Sequence, residues 1–273
     1  MIKFFSDFFK DKQEYKIVNK NNRTFLVYKD DHLEYVIKHK NNENDFFCLP
    51  FENIVVCNDG KTIFFKEQPI EIIKVSKELY GAKEASNEDV VAVGEKLYSN
   101  CDKIIFFKEQ KFLEPNHFID VMKWTDLSLH YPKEIEKAIE EYRISIMPMF
   151  KNENGCKRGF VHLDLQRPNV LKNNGKLFLI DFETCCFSYA AINVAQGFYN
   201  CYIKQKTQEE SKQKYKELMK CLNDQDKENF KFFIKLISFY WEIRVIPFKI
   251  LDHEGRLKEL KKFIKYSDSF NNF

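Results

Sequence analysis

The sequence predicts an α+β chain in two parts, a small antiparallel β-rich part over residues 1–70 and a larger helix-rich part over residues 71–273. Three observations predict it. Before residue 70, apolar residues alternate in short runs broken by polar turns, which is the period of strands. Beyond it they recur at helical spacing behind recognisable caps. At 273 residues and 44% apolar content, the chain is long enough for two lobes with a cleft between them.

Residues 23–28 (RTFLVY) and 33–38 (LEYVIK) read as two strands joined by the polar turn Lys29-Asp30-Asp31-His32. Residues 53–57 and 61–67 read as a second hairpin across Asn58-Asp59-Gly60, whose Asp-Gly step is the strongest local turn signal. Ser86 precedes Glu88 and Asp89 and so caps a helix with apolar Val90, Val91, Val93 and Leu97. Residues 132–147 carry the stripe Ile135, Ala138, Ile139, Tyr142 and Ile146. Residues 190–203, 208–222 and 227–246 follow as helices, the last ended near Pro247, and 251–266 as a final one. The octets KTIFFKEQ at Lys61 and KIIFFKEQ at Lys103 echo each other, but two copies do not make a repeat architecture.

Composition excludes several functions. Lys and Arg number 44 against 41 Asp and Glu, a net charge of +3, too balanced to argue for a nucleic-acid partner. The Lys-rich stretch 204–220 also carries Glu and Gln at helical spacing and reads as a solvated face. The eight Cys form no C-x-x-C pair and have no His at zinc spacing, so they read as small buried hydrophobes. That reading includes the vicinal pair Cys185-Cys186. Lys3, Asp7 and Lys10 interrupt the apolar N-terminal stretch, which is too short and too charged for a signal segment. Its cluster Phe4, Phe5, Phe8 and Phe9 reads as a helix docked on its own domain. No run approaches the ~18 apolar residues of a membrane span. The expected location is the cytoplasm.

The chemistry sits in residues 159–183, GFVHLDLQRPNVLKNNGKLFLIDFE. Phe160-Val161 leads in as a short strand to His162-x-Asp164, and Asn169 follows five residues after that Asp. Asn173-Asn174-Gly175 is a hairpin turn. Residues 177–180 (LFLI) then form a buried strand that delivers Asp181 to its end. Two carboxylates and an amide so placed suit phosphoryl transfer. Asp164 would accept or orient a hydroxyl proton, while Asn169 and Asp181 would ligate Mg²⁺, which takes oxygen ligands together with phosphate. His162 would support the loop by hydrogen bonding.

These residues resemble the catalytic and metal-binding loops of the aminoglycoside phosphotransferase and choline kinase superfamily of protein-kinase-like small-molecule kinases. IDFETCCFSYAAINVAQGFYN is most similar to choline and ethanolamine kinases, with Phe187-Ser188-Tyr189 at an aromatic-polar-Tyr triplet and Asp164-Leu165-Gln166 after the His. The resemblance implies a two-lobed fold with a small antiparallel β N-lobe and a larger α-helical C-lobe. It implies ATP and Mg²⁺ as cofactors and a small-molecule hydroxyl acceptor. By that resemblance Asn19-Lys20-Asn21-Asn22 is an Asn-rich phosphate loop, Lys38 the phosphate-pairing lysine, residues 61–67 the strand entering the hinge with Glu67 at its end, and Pro69 the start of the linker. Substrate would be met by Glu183, Tyr189, Trp241 and Arg244.

The chain departs from the family in three places. Only a short stretch follows Lys38, with Glu43 and Glu52 as acidic candidates to pair it, and Lys66 is a rival for its role. Asn193 stands where the family often has a loop-bracing Asp. Arg244 stands where choline kinases place the second Trp of an aromatic box whose first would be Trp241. A guanidinium there favours an anion or a sugar hydroxyl over a quaternary ammonium.

The expected function is therefore an ATP- and Mg²⁺-dependent kinase of a small-molecule hydroxyl, with choline or ethanolamine first and a sugar, aminosugar or aminoglycoside second. A non-catalytic kinase-like binding protein is the alternative of another class. Glu183 takes the place of the Gly in Asp-Phe-Gly, and no activation segment follows, which argues against a protein kinase.

Overall fold

The computed structural model describes residues 15–21, 24–39, 54–56, 60–65, 68–75, 79–103, 112–119, 133–181, 184–249 and 252–273. The strands are β1 (Tyr15–Asn21), β2 (Thr24–Lys29), β3 (His32–His39), β4 (Ile54–Val56), β5 (Gly60–Phe65), β6 (Gln68–Lys74), β7 (Lys83–Glu84), β8 (Arg158–Val161), β9 (Val170–Asn173), β10 (Lys176–Leu179) and β11 (Cys186–Tyr189). The helices are α1 (Asn87–Ser99), α2 (Pro115–Ile119), α3 (Lys133–Ile146), α4 (Ala191–Phe198), α5 (Gln208–Leu218), α6 (Asp224–Lys249) and α7 (His253–Ser267). They fall into two compact units. The described residues of the first lie within Met1–Ala85 and Pro168–Glu183, and those of the second within Ser86–Ile104, Glu109–Arg167 and Thr184–Phe273.

The first unit is built on sheets. A five-stranded sheet runs in the order β1-β2-β3-β6-β5, antiparallel throughout. Residues of β2 alternate, with Phe25 and Val27 buried and Thr24, Leu26 and Tyr28 half-buried on the other face. The first hairpin forms as expected, with Asp30 and Asp31 both at positive φ (48° and 62°) in its turn.

The second hairpin does not form as read. Gly60 is the first residue of β5, opposite Ile73, and β5 returns into β6 with Phe65 facing Gln68. The strand β4 instead pairs parallel with β10, Ile54 facing Leu177. The expected linker at Pro69 is thus the start of β6, a strand whose Ile70, Ile72 and Ile73 favour it. Proline is tolerated one residue into a strand, where Pro69 faces Phe64. The strand that leaves the sheet toward Val75–Ala82 is β6, rather than residues 61–67.

A second sheet of the same unit has the order β4-β10-β9-β7. Its tight hairpin β9–β10 turns at Asn174 (φ 48°) and Gly175 (φ 77°), both left-handed, as the Asn-Gly pair demands.

The second unit is mostly helical, with the two-stranded ribbon β8–β11 on it. Ser86 caps α1 in a reciprocal box, its hydroxyl accepting the Asp89 N–H while Asp89 accepts the Ser86 N–H. Thr207 and Glu210 repeat that device at α5. The helix α6 runs through Pro247 to Lys249 rather than ending before it. Phe230, Phe232, Phe233, Ile234, Leu236, Ile237 and Phe239 are buried on all sides of it, and that packing outweighs the loss of one backbone hydrogen bond. The expected helix over 190–203 is α4 followed by a π-helical turn, Tyr199–Ile203.

α1 and α4 touch through glycine. A Cβ built on Gly94 would lie 2.7 Å from the backbone oxygen of Asn193, which cannot swing aside as a side chain can. Alanine gains about 1 kcal/mol of helix propensity over glycine, but displacing packed backbone costs more. We expect Gly94→Ala to lower stability by about 1–2 kcal/mol net, read as a fall in melting temperature.

Candidate active site

The first unit holds a cavity of about 570 Å³. Its sheet wall is the alternating face Thr24, Leu26 and Tyr28 of β2, with Val36 of β3 and Lys20 at the end of β1. The stretch after β6 contributes Val75, Leu79, Tyr80, Gly81 and Ala82, and the β9–β10 hairpin contributes Leu171 and Ile180. Asn169 and Asp181 flank that hairpin and both line the cavity. They are tied together by backbone, since the Ile180 N–H donates to the Asn169 carbonyl at 3.0 Å. Asn169 is 7% exposed and sits in a short 3₁₀ turn. Asp181 has φ 66°, a left-handed conformation that a non-glycine residue adopts at a cost. The two expected metal ligands are therefore brought to one wall. Among the described residues no group of three His, Cys, Asp or Glu could hold a metal ion.

The cavity has two chemically distinct ends along β2. Thr24 and Lys20 stand at one, Tyr28, Asp31 and His32 at the other, about 13 Å apart at strand rise. Lys38 faces Thr24 across β2–β3 and Glu71 across β3–β6, which places its strand position at the Thr24 end. At the other end the His32 and Tyr80 rings stack in parallel, 4.8 Å apart and 6° from coplanar. The Tyr80 hydroxyl donates to Glu34, and that hydrogen bond, followed by burial, pushes its pKa up to about 12. Asn173 donates to the Tyr80 carbonyl at 3.0 Å. No turn or motif signal in the sequence pointed to this aromatic pair, because it joins a hairpin turn to a segment beyond the sheet.

The second unit holds His162 and Asp164. Strand β8 delivers them, and Leu163 between them has φ 55°. His162 is fully buried. Its N–H donates to Asn193 Oδ1 at 3.0 Å, and its carbonyl accepts the Thr184 hydroxyl at 3.1 Å. Its ring nitrogen Nδ1 accepts the Asp164 N–H at 3.3 Å. These bonds tie His162 to Asn193, Thr184 and the Asp164 backbone. Asp164 is half-buried, and its Oδ1 accepts Gln166 Nε2 at 2.6 Å. Asn193 also donates to the Phe160 carbonyl at 2.7 Å, so this amide braces the loop from α4 at two points. A third amide, Asn200, donates to the Leu165 carbonyl at 3.0 Å. Asn200 lies two helical turns beyond Asn193, a spacing visible in the sequence but not used there.

The expected substrate residues fare differently. Tyr189 is fully buried, its ring set against Phe112, Phe150 and Phe233, and its hydroxyl donates to Glu153 at 2.8 Å. It faces Arg158 across the β8–β11 ribbon, with that guanidinium 5.8 Å from its ring centre, so among the described residues its contacts are packing contacts. Trp241 is half-exposed on α6. Arg244 lies on the same helix, but its side chain is outside the described residues, as is that of Lys38. Asn22, Glu67 and Glu183, together with Glu43, Glu52, Lys66 and the Phe4–Phe9 cluster, lie outside the described residues altogether.

No family model matches the chain, and no curated protein sequence does. Solved structures match over nearly its whole length. Choline kinase LicA from Streptococcus pneumoniae is 16% identical, over 97% of this chain and 99% of that one, with a TM-score of 0.58. The amicoumacin kinase hAmiN, solved in complex with AMP-PNP, Ca²⁺ and Ami, is 10% identical over 94% and 89%, with a TM-score of 0.60. A microcompartment-associated aminopropanol kinase is 12% identical over 99% and 95%, with a TM-score of 0.60. The fold of this chain is the two-lobed, kinase-like fold of these small-molecule kinases.

Proposed function

We propose that the protein is an ATP- and Mg²⁺-dependent kinase that transfers a γ-phosphoryl group to the hydroxyl of a small amino alcohol, choline or ethanolamine first. The observation that carries the reading is the pairing of Asn169 and Asp181 on the wall of one cavity. An amide oxygen and a carboxylate are hard donors of the kind Mg²⁺ accepts, and an ion held by so few side chains needs phosphate oxygens to complete its shell. The cavity supports this. It offers a cationic end at Lys20, with the Lys38 strand position beside it, and an aromatic end at His32 and Tyr80. That spacing suits the phosphates and the base of a nucleotide.

In this reading Asp164 orients the acceptor hydroxyl and takes its proton. His162 holds the loop. Asn169 and Asp181 hold the ion, which when bound would neutralise charge on the phosphates. Glu183, Trp241 and Arg244 are the proposed acceptor contacts. The solved relatives named for choline and aminopropanol support an amino-alcohol acceptor.

A nucleotide-consumption screen tests the reading, with choline, ethanolamine, aminopropanol, aminosugars and aminoglycosides as acceptors. Turnover with one of the first three is expected. Turnover only with sugars moves the acceptor class. A thermal shift with ATP and Mg²⁺ but no turnover on any acceptor points to a non-catalytic binding protein.

A further inference from the structure

The π-helical turn Tyr199–Ile203 follows α4 directly and changes which backbone groups are satisfied within the helix. A regular α-helix would tie the Asn200 carbonyl to the Lys204 N–H and the Cys201 carbonyl to the Gln205 N–H. Here the Lys204 N–H reaches back to Tyr199 instead, at 3.1 Å, and the Gln205 N–H goes to Tyr202, at 3.1 Å. The carbonyls of Asn200 and Cys201 are taken up by side-chain amides. Gln205 Nε2 donates to the Asn200 carbonyl at 2.7 Å, and Asn87 Nδ2 donates to the Cys201 carbonyl at 3.0 Å. Asn87 also donates to Gln205 Oε1 at 3.2 Å, closing the set.

The buried side chain of Asn200 leaves this set toward the loop, donating to the Leu165 carbonyl at 3.0 Å. Leu165 is the residue after Asp164. Asn193 already fixes the loop on its other side, through Phe160 and His162. Between those anchors lies Leu163 at positive φ, a conformation that needs support from its surroundings.

We propose that Asn200 is a positioning residue for Asp164. The π turn and Gln205 hold it in place, so that the loop is clamped on both sides of its carboxylate by amides of one helix. This role rests on the reading of Asp164 as the hydroxyl-orienting carboxylate, but the clamp itself can be measured apart from turnover.

The test uses the full chain. Asn200→Asp keeps the side chain's size and sets an acceptor against the Leu165 carbonyl, and Asn200→Ser keeps a donor. Gln205→Ala, at an exposed position, loosens Asn200 without touching the core. Hydrogen exchange is followed in peptides covering residues 160–167. Asn200→Asp is expected to speed exchange there by about tenfold, with Gln205→Ala in the same direction and Asn200→Ser closer to wild type. The helix α3 should keep its protection. Turnover should fall by about tenfold or more while the nucleotide KM stays within about twofold.

Unchanged exchange at residues 160–167 in both Asn200→Asp and Gln205→Ala would overturn the clamp. So would an equal rise across α3, which marks general destabilisation, or a turnover loss expressed in nucleotide KM. If Asn200→Asp does not fold, Gln205→Ala carries the same comparison alone. If the wild-type protein turns over no acceptor, the reaction assigned above fails while the exchange result still decides whether Asn200 holds the loop.

Discussion

Asp164→Asn is expected to cut turnover by about 10²–10⁴-fold, the range for removing a positioned proton acceptor, with little change in melting temperature. The substitution preserves volume and planarity, and an amide oxygen can still accept from Gln166, whose Nε2 lies 2.6 Å from Asp164 Oδ1. The loop's other ties run through backbone and through neighbouring side chains, from Asn193 to Phe160 and His162 and from Asn200 to Leu165. The fold should therefore survive. What disappears is the negative charge that would accept a hydroxyl proton. Steady-state turnover on the best acceptor, beside a thermal melt of the same sample, checks both halves. Near-normal turnover in Asp164→Asn would remove the mechanism, whereas a large drop in melting temperature would recast Asp164 as a structural residue.

Much of this arrangement was legible in residues 159–183, because every device there is local. Asn174-Gly175 fixes its hairpin by backbone sterics, and the hairpin fixes where Asn169 and Asp181 begin and end. The capping box at Ser86 is equally local and equally readable. The misread elements are those decided by distant partners. Asp59-Gly60 carries a strong turn signal, yet β4 is drawn away to pair with β10, a partner far along the chain that no neighbouring residue announces. Pro247 predicts a helix end, but α6 is buried on every side over residues 232–240 and the helix runs onward to Lys249.

Tyr189 shows a related limit of local signals. A resemblance marks the position, but only packing decides whether a tyrosine faces substrate or core, and here Phe150 and Phe233 surround it. Asn200 was missed although its spacing from Asn193 is helical, because its role depends on a π turn that leaves no compositional trace.

Asp181→Ala is expected to abolish the thermal stabilisation that ATP gives in the presence of Mg²⁺, while ATP without a divalent ion shifts wild type and variant alike. At a nucleotide concentration of about 100 Kd, binding stabilises the folded chain by about 2.7 kcal/mol, or several degrees of melting temperature for a chain of this size. Asp181 is the carboxylate of the proposed pair of metal ligands, and it shares a cavity wall with the neutral Asn169. Removing it takes away the charge that offsets dehydration of the ion, so affinity for the metal–nucleotide complex should fall more than affinity for nucleotide alone. Asn169→Ala should act in the same direction and more weakly, since it deletes a neutral donor. The left-handed φ of Asp181 sharpens the comparison. Asp181→Gly relieves that backbone while deleting the carboxylate, so it should match Asp181→Ala in lost metal-dependent stabilisation and exceed it in the stability of the free protein. A full metal-dependent shift in either variant would mean that the ion is held elsewhere, and the assignment of Asn169 and Asp181 as its ligands would fall with it.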